Sequence, residues 1–445
     1  MPTTSGSPFG LALRRALLIT LYGAVILVPL GLTIGVVKPG AQGRLVVFSD
    51  ALGFAALSLI ALQVIASGRW ASTTRVFGLR PVLHLHRQAG KASLMLVIAH
   101  VAILMLDDPR RLRLFDVPDA PGRARAGTIA VLALVGIAVT SIWRAKLGMR
   151  FEHWRASHLA LTGVVIAASF VHVIWVRAYT SLADERDVVL ALVIAAAAAL
   201  FWARVAHPYR TALKPYRVVA VRRERGGAVT LELEADGHDG LRFGAGQFAR
   251  LRPAHAPYSL DDHPFTLSSS AAHPEHPSFT VKALGDFTTA VADLRPGDEI
   301  LVDGPHGEAV RDGDRRRGRI LLAAGIGITP AMSVLRTAAE RGSTKPFLLL
   351  YGSRQWADIT FREELAALGR RLPNLQVVHA LSRAEPGWPG ERGRVGEQLL
   401  RRYAPRDIAR WSALICGPAA MVAEASVTLA LLGMPMRAIQ AEGFE

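Results

Sequence analysis

HRQAGKASLMLVIAH (residues 86–100) and HLALTGVVIAASFVH (residues 158–172) are two apolar stretches, each opened and closed by a histidine, fourteen residues apart. On an α-helix fourteen residues turn through about 1400°, which leaves each pair of side chains about 40° apart on one face. The same spacing separates them by about 21 Å along the axis, much of a bilayer core of about 30 Å. An imidazole in hydrocarbon is costly without a partner, so an intramembrane ionisable residue points to function. Two such helices side by side set His86 against His158 and His100 against His172. The result is two bis-imidazole sites, one near each membrane face, and haem iron suits that arrangement. The competing reading for any single histidine is an interhelical hydrogen bond. The matched spacing of all four favours ligation. His84 stands about 160° from the His100 face and His153 about 100° from the His172 face, so both read as interfacial residues near helix starts.

Hydrophobic residues make up 51% of the 445, and they are unevenly placed. Six apolar runs lie near 16–37, 45–67, 86–106, 127–143, 158–176 and 188–203, each close to the roughly 20 residues that cross a bilayer. The expected organisation is a six-helix transmembrane bundle over residues 1–207. An antiparallel β-barrel follows over 208–312, then a parallel α/β nucleotide-binding domain over 313–445. Arg14, Arg15, Arg69, Arg75, Arg80, Arg144, Lys146, Arg150, Arg204 and Arg210 fall on one side of such a bundle, which places the second half in the cytoplasm. The third connection opposes this with Arg110, Arg111, Arg113, Arg123 and Arg125. No small-residue cleavage site follows the first run, so a retained helix is expected rather than a signal peptide. The net charge of +16 comes without a basic stripe interleaved with aromatics. Topology and anionic lipid therefore explain it, and nucleic acid is not an expected partner. A single cysteine, Cys416, excludes intramolecular disulfides and cysteine-ligated iron–sulfur clusters.

Beyond residue 216 short alternating strands and Gly/Pro turns take over. Three stretches stand out in the first part: His263-Pro264-Phe265-Thr266, Gly285-Asp286-Phe287-Thr288 before a short helix, and the tight turn Gly304-Pro305-His306-Gly307. An apolar strand at 318–323 then runs into Gly325-Ile326-Gly327-Ile328-Thr329-Pro330 and a helix. A strand, glycine turn and helix N-terminus form a site for a dinucleotide pyrophosphate, although Pro330 stands where a third glycine would complete the fingerprint. Further apolar strands at 347–351, 375–379 and 411–416 alternate with helical patterns, as in a parallel sheet. Ser353-Arg354 and Cys416-Gly417-Pro418 sit at carboxyl ends of such strands, where ligands bind.

With these residues in hand the chain resembles the ferric reductase/NADPH oxidase superfamily, nearly end to end. The resemblance implies a membrane domain with two b-type haems and a ferredoxin–NADP reductase-like module for FAD and NADPH or NADH. It carries His86, His100, His158 and His172 over as axial ligands, with Trp154 also in the family pattern. It puts Phe265 and Thr266 of the HPFT motif at the flavin, and Gly285 and Thr288 at its pyrophosphate. Gly325, Gly327, Thr329 and Pro330 match the nicotinamide-nucleotide loop, and Cys416, Gly417 and Pro418 the motif near the nicotinamide. Phe444 resembles the near-terminal aromatic that covers the flavin, though Glu445 follows it. His306 stands where the family commonly has an aromatic. No calcium-binding extension precedes the first run, so direct calcium control is not expected. Arg354 suits a 2′-phosphate, although similar stretches in relatives accept NADH.

A hydride carries two electrons and haem iron takes one, so a flavin belongs between them. The implied order is NAD(P)H, FAD, the His86/His158 haem, the His100/His172 haem, and a one-electron acceptor outside a bacterial-type inner membrane. That acceptor is a ferric or cupric chelate or dioxygen, and no obligatory protein partner is evident. Two alternatives remain open: a partner-dependent haem subunit that reduces a quinone or protein, and a channel or transporter with a redox regulatory domain.

Overall fold

The computed structural model describes residues 13, 16–27, 31, 43–67, 79–176, 183–259, 263–282, 285–310 and 316–444. The chain divides into two compact units, Met1–Pro208 and Tyr209–Glu445.

In the first unit α1 (Ala16–Leu27) is a shorter apolar helix, and the rest of the first expected span falls largely outside the described residues. Five helices among the described residues are long and apolar enough to cross a membrane: α2 (Arg44–Ser67), α3 (Leu79–Asp107), α4 (Gly122–Ile142), α5 (Phe151–Val176) and α6 (Ala183–Phe201), the last continuing to Ala212. They pair as two hairpins, α2 with α3 and α4 with α5, and α6 lies on α2. Ile60, Ala133, Leu134 and Val165 are buried together against Leu94, Val97, Ile137 and Leu161. Leu94 and Val97 lie between His86 and His100 in sequence, and Leu161 and Val165 between His158 and His172, so an apolar layer separates the two histidine levels. Met95, Leu132 and Ile194 stay exposed, as lipid-facing residues do.

The second unit holds two sheets. β1 (Tyr216–Arg223), β2 (Ala228–Ala235), β3 (Phe248–Pro253), β4 (His263–Thr266), β5 (Ser278–Lys282) and β6 (Glu299–His306) form a curled antiparallel sheet in the order β4-β3-β6-β1-β2-β5. Its edges meet at one bridge, Leu267 to Phe279, and its interior holds Leu231, Leu233, Leu251, Leu267 and Phe279. α7 (Asp286–Ala292) connects β5 to β6. The second sheet is parallel throughout and contains β7 (Gly318–Ala324), β8 (Phe347–Ser353), β9 (Leu375–Leu381), β10 (Glu391–Arg392), β11 (Trp411–Pro418) and β12 (Ile439–Phe444), ordered β10-β9-β8-β7-β11-β12. α8 (Ile328–Glu340) and α9 (Arg362–Arg371) cover one face, with Met332 and Leu335 fully buried under α8; α10 (Ala419–Leu431) covers the other, with Ala425 and Leu429. The two sheets are joined through α8: Ser333 donates to the Ser269 carbonyl at 2.8 Å, and Arg336 donates to Ser268 while forming a forked pair with Glu364.

His379 on β9 sits among Tyr351, Trp356 and Arg362, and its Nδ1 is buried without a hydrogen-bond partner among the described residues. Burial, and then the Arg362 charge, push its pKa down to about 4. A histidine held neutral in the fold while the unfolded chain titrates near pH 6.5 stabilises the protein above that pH. The contribution falls away as pH drops from about 6.5 towards 4. His379→Gln should therefore flatten the fall in thermal midpoint across that window. Parallel wild-type and variant curves would show that His379 does not set it.

Candidate functional site

The histidine quartet falls on α3 and α5 as the spacing predicts. The rings of His86 and His158 face one another across the helices with centres 6.3 Å apart and planes at 51°. Two imidazoles bound end-on to one metal, with bonds of about 2.0–2.1 Å and about 1.1 Å from ring nitrogen to ring centre, would have centres about 6.2–6.4 Å apart. Trp154, one turn before His158, lies 5.4 Å from its ring and donates to Ser141 Oγ on α4, which is 3.4 Å from His158 Nδ1. His84 and His153 are exposed and lie off this face.

The other pair is held from behind. His100 Nδ1 is 2.8 Å from the Ser49 carbonyl of α2, and His172 Nδ1 is 2.8 Å from the Arg123 carbonyl of α4. A carbonyl can only accept, so both Nδ1 atoms carry the proton and Nε2 keeps its lone pair. Both rings lie close to glycines. A Cβ on Gly53 would come to 3.4 Å from His100 Nδ1, and one on Gly127 to 2.9 Å from His172 Nδ1. Sequence reasoning passed over Ser49, Gly53, Arg123, Gly127 and Ser141. The signal was there in the glycines, which are dispensable in an apolar helix unless something approaches closely.

Among the described residues no cluster of three or more His, Cys, Asp or Glu forms. His86 and His158, with ring centres 6.3 Å apart, offer two protein ligands and would fit a metal that brings further ligands of its own. Haem meets that requirement.

In the second unit the strand order reverses between β7 and β11, the place where open α/β sheets take ligands. Gly325 has φ +53°, and its carbonyl accepts from the Tyr351 hydroxyl at 3.2 Å. A Cβ on Gly327 would collide with the Cys416 carbonyl, so only glycine lets the loop before α8 close on β11. Thr329 donates to the Ile326 carbonyl at 3.2 Å, and Pro330 sits in the first turn of α8, where no donor is lost. Cys416 is buried, Gly417 packs on Met421, and Pro418 pairs with Phe444 of β12. Residues 439–444 thus form a paired edge strand rather than a loose tail. Ser353 ends β8, which β7 and β11 separate from this edge strand, and Arg354 follows it; Arg354 is exposed and meets no carboxylate among the described residues. Gly325, Gly327, Cys416 and the Phe444 backbone come together at one sheet edge.

The flavin motifs also converge. Phe287, between Gly285 and Thr288 in the turn, stacks on Phe265 at 5.8 Å and lies 4.3 Å from the His263 ring, so β4 and the α7 turn share one aromatic cluster. Pro264 and Thr266 pair with Arg250 and Phe248 of β3. Thr288 Oγ1 accepts from the Gly285 N–H and also faces its carbonyl, so this hydroxyl caps its own turn. Gly304, Pro305 and His306, expected in a tight turn, belong to strand β6; a Cβ on Gly304 would press on Ala249, and Gly307, just past the strand, has φ +80° against Phe248. His306 turns to Asp303 at 3.2 Å and to the Phe248 ring.

Residues 52–171 match the family described as ferric reductase like transmembrane component, and residues 321–426 match the oxidoreductase NAD-binding domain. The two matches together are those of the ferric reductase/NADPH oxidase superfamily, a transmembrane component followed by a nucleotide-binding reductase module. The first match falls on the apolar helices and the second on the parallel sheet of the second unit. The reductase component of a naphthalene 1,2-dioxygenase/salicylate 5-hydroxylase system from a Ralstonia species is 31% identical over 46% of this chain and 61% of its own length. Ferredoxin–NADP reductase B of Sorangium cellulosum is 32% identical over 34% of this chain and 64% of its own. The chain spans less than two thirds of the length of these curated relatives. Among solved structures, an Amycolatopsis cytochrome P450 reductase is 25% identical with a TM-score of 0.46, covering 52% of this chain and 69% of its own.

The two glycines behind the histidines make a paired test. Gly127→Ala should displace His172 and lower the haem bound per polypeptide, whereas Gly53→Ala, at ordinary contact distance, should keep it. Pyridine haemochrome analysis reads both, and equal haem content in the two variants would refute the close approach.

Proposed function

We propose that this protein moves electrons from NAD(P)H on the cytoplasmic side to a one-electron acceptor across a bacterial-type inner membrane, a ferric or cupric chelate or dioxygen. The observation that carries this reading is the quartet: two histidines facing at 6.3 Å, and two more with their Nδ1 atoms tied to backbone carbonyls. When bound, FAD would split a hydride into single electrons and two b-type haems would relay them one at a time.

The chain's own residues do the rest. His86 with His158, and His100 with His172, would hold the two haems through Nε2. The apolar layer of Leu94, Val97, Leu161 and Val165 excludes water between the levels. Helices that alternate in direction put the chain's exit from α6 at the membrane face of His86 and His158, which suits entry of electrons there. His263, Phe265 and Phe287 form an aromatic wall for the flavin, with the Gly285 turn beside it. The Gly325–Gly327 turn and the α8 N-terminus would hold the nucleotide pyrophosphate. Cys416 and Gly417 lie at the end of β11 by the switch point, where nicotinamide would lie, and Arg354, just after β8, would take the ribose end.

Anaerobic stopped-flow mixing with NADPH should reduce b-type haem, and reoxidation with each acceptor in turn should name the substrate. Reduction by dithionite but not by NADPH would point to a missing partner, and no b-type spectrum to a channel. Arg354→Ala should raise the Michaelis constant for NADPH roughly tenfold to a hundredfold, the cost of one charge-assisted phosphate contact. The constant for NADH should stay nearly unchanged. Equal effects on both nucleotides would exclude a 2′-phosphate contact.

A further inference from the structure

The four histidines are alike in sequence but differ in what stands behind the ring. His100 Nδ1 is 2.8 Å from the Ser49 carbonyl and 2.9 Å from Ser49 Oγ. That hydroxyl donates its own hydrogen to the His100 carbonyl at 2.8 Å, so its lone pair is turned to the Nδ1–H. Ser49 is fully buried, and no water competes for this bond. His172 has the Arg123 carbonyl in the same role. At the other level, among the described residues, His86 Nδ1 is buried with no hydrogen-bond partner, and His158 Nδ1 meets Ser141 Oγ alone, at 3.4 Å, an oxygen that already takes the Trp154 N–H.

An acceptor on Nδ1–H draws the proton outward and makes Nε2 a stronger donor, which favours the ferric over the ferrous state of a ligated iron.

We propose that Ser49 is a positioning residue for His100, and that the His100/His172 site holds its haem at a lower midpoint potential than the His86/His158 site. This rests on the bis-histidine reading above. The acceptor at that face would then meet the more reducing of the two centres.

Spectroelectrochemical titration of the purified full-length protein tests it. The wild type should show two midpoints, and Ser49→Ala, which keeps the carbonyl but loses the hydroxyl, should raise the lower one and leave the upper in place. A shift of the upper midpoint alone, no shift, or a single wild-type midpoint would overturn the proposal. If Ser49→Ala instead loses one haem, the survivor is the His86/His158 haem. Its midpoint matching the upper wild-type value supports the proposal, and matching the lower overturns it. A wild-type protein with no low-spin b-type spectrum would sink the bis-histidine reading itself, and this inference with it.

Discussion

An imidazole placed among hydrocarbon must find use for both ring nitrogens, and the first unit is arranged around that demand. One nitrogen of His100 and of His172 is taken by a backbone carbonyl from the neighbouring helix of its own hairpin. Helical carbonyls are normally engaged along their own helix, so a second donor can reach one only where the helices come close. Gly127 supplies that closeness by offering no Cβ, since one there would come to 2.9 Å from His172 Nδ1. The hairpin pairing of α2 with α3 and α4 with α5 follows from the same contacts. The other nitrogen of each ring is left for a ligand.

The second unit solves a different problem, which is to bring backbone near a charged, extended nucleotide without side chains in the way. Gly327 meets the Cys416 carbonyl because β7 and β11 are neighbours in the sheet, although nearly the whole nucleotide domain separates them in sequence. The curled sheet is tied to this one by Ser333 and Arg336 of α8, the helix that begins at the glycine turn. The element that opens the nucleotide site therefore also fixes the flavin strands beside it. The Arg336–Glu364 pair is only partly exposed on the arginine side, where screening by water is weakest.

Several side chains are spent differently from what their motifs imply. Thr288 caps its own turn, its hydroxyl accepting from the Gly285 N–H and donating to the Gly285 carbonyl. His306 turns to Asp303, three residues back on the same strand, at the position where the family commonly has an aromatic. Phe287, quoted only as part of a turn, joins β4 to that turn by stacking. Residues 439–444 add a parallel edge strand that periodicity could not show, since a short apolar stretch after a turn reads equally as tail or strand.

Local rules were enough for the parts that depend on spacing along one element. The fourteen-residue period put each histidine pair on one helix face, and hydropathy marked the spans because a bilayer leaves a polar backbone no alternative. Alternating strands and helices announced the parallel sheet. What tertiary structure alone decided was which atoms stand behind those residues. Ser49 and His100 are on different helices, as are Arg123 and His172, and nothing in either helix's pattern states how the two will slide against each other. That register comes from packing of small residues across the hairpin. It determines which carbonyl meets which imidazole, and so makes four similar histidines into two unlike pairs.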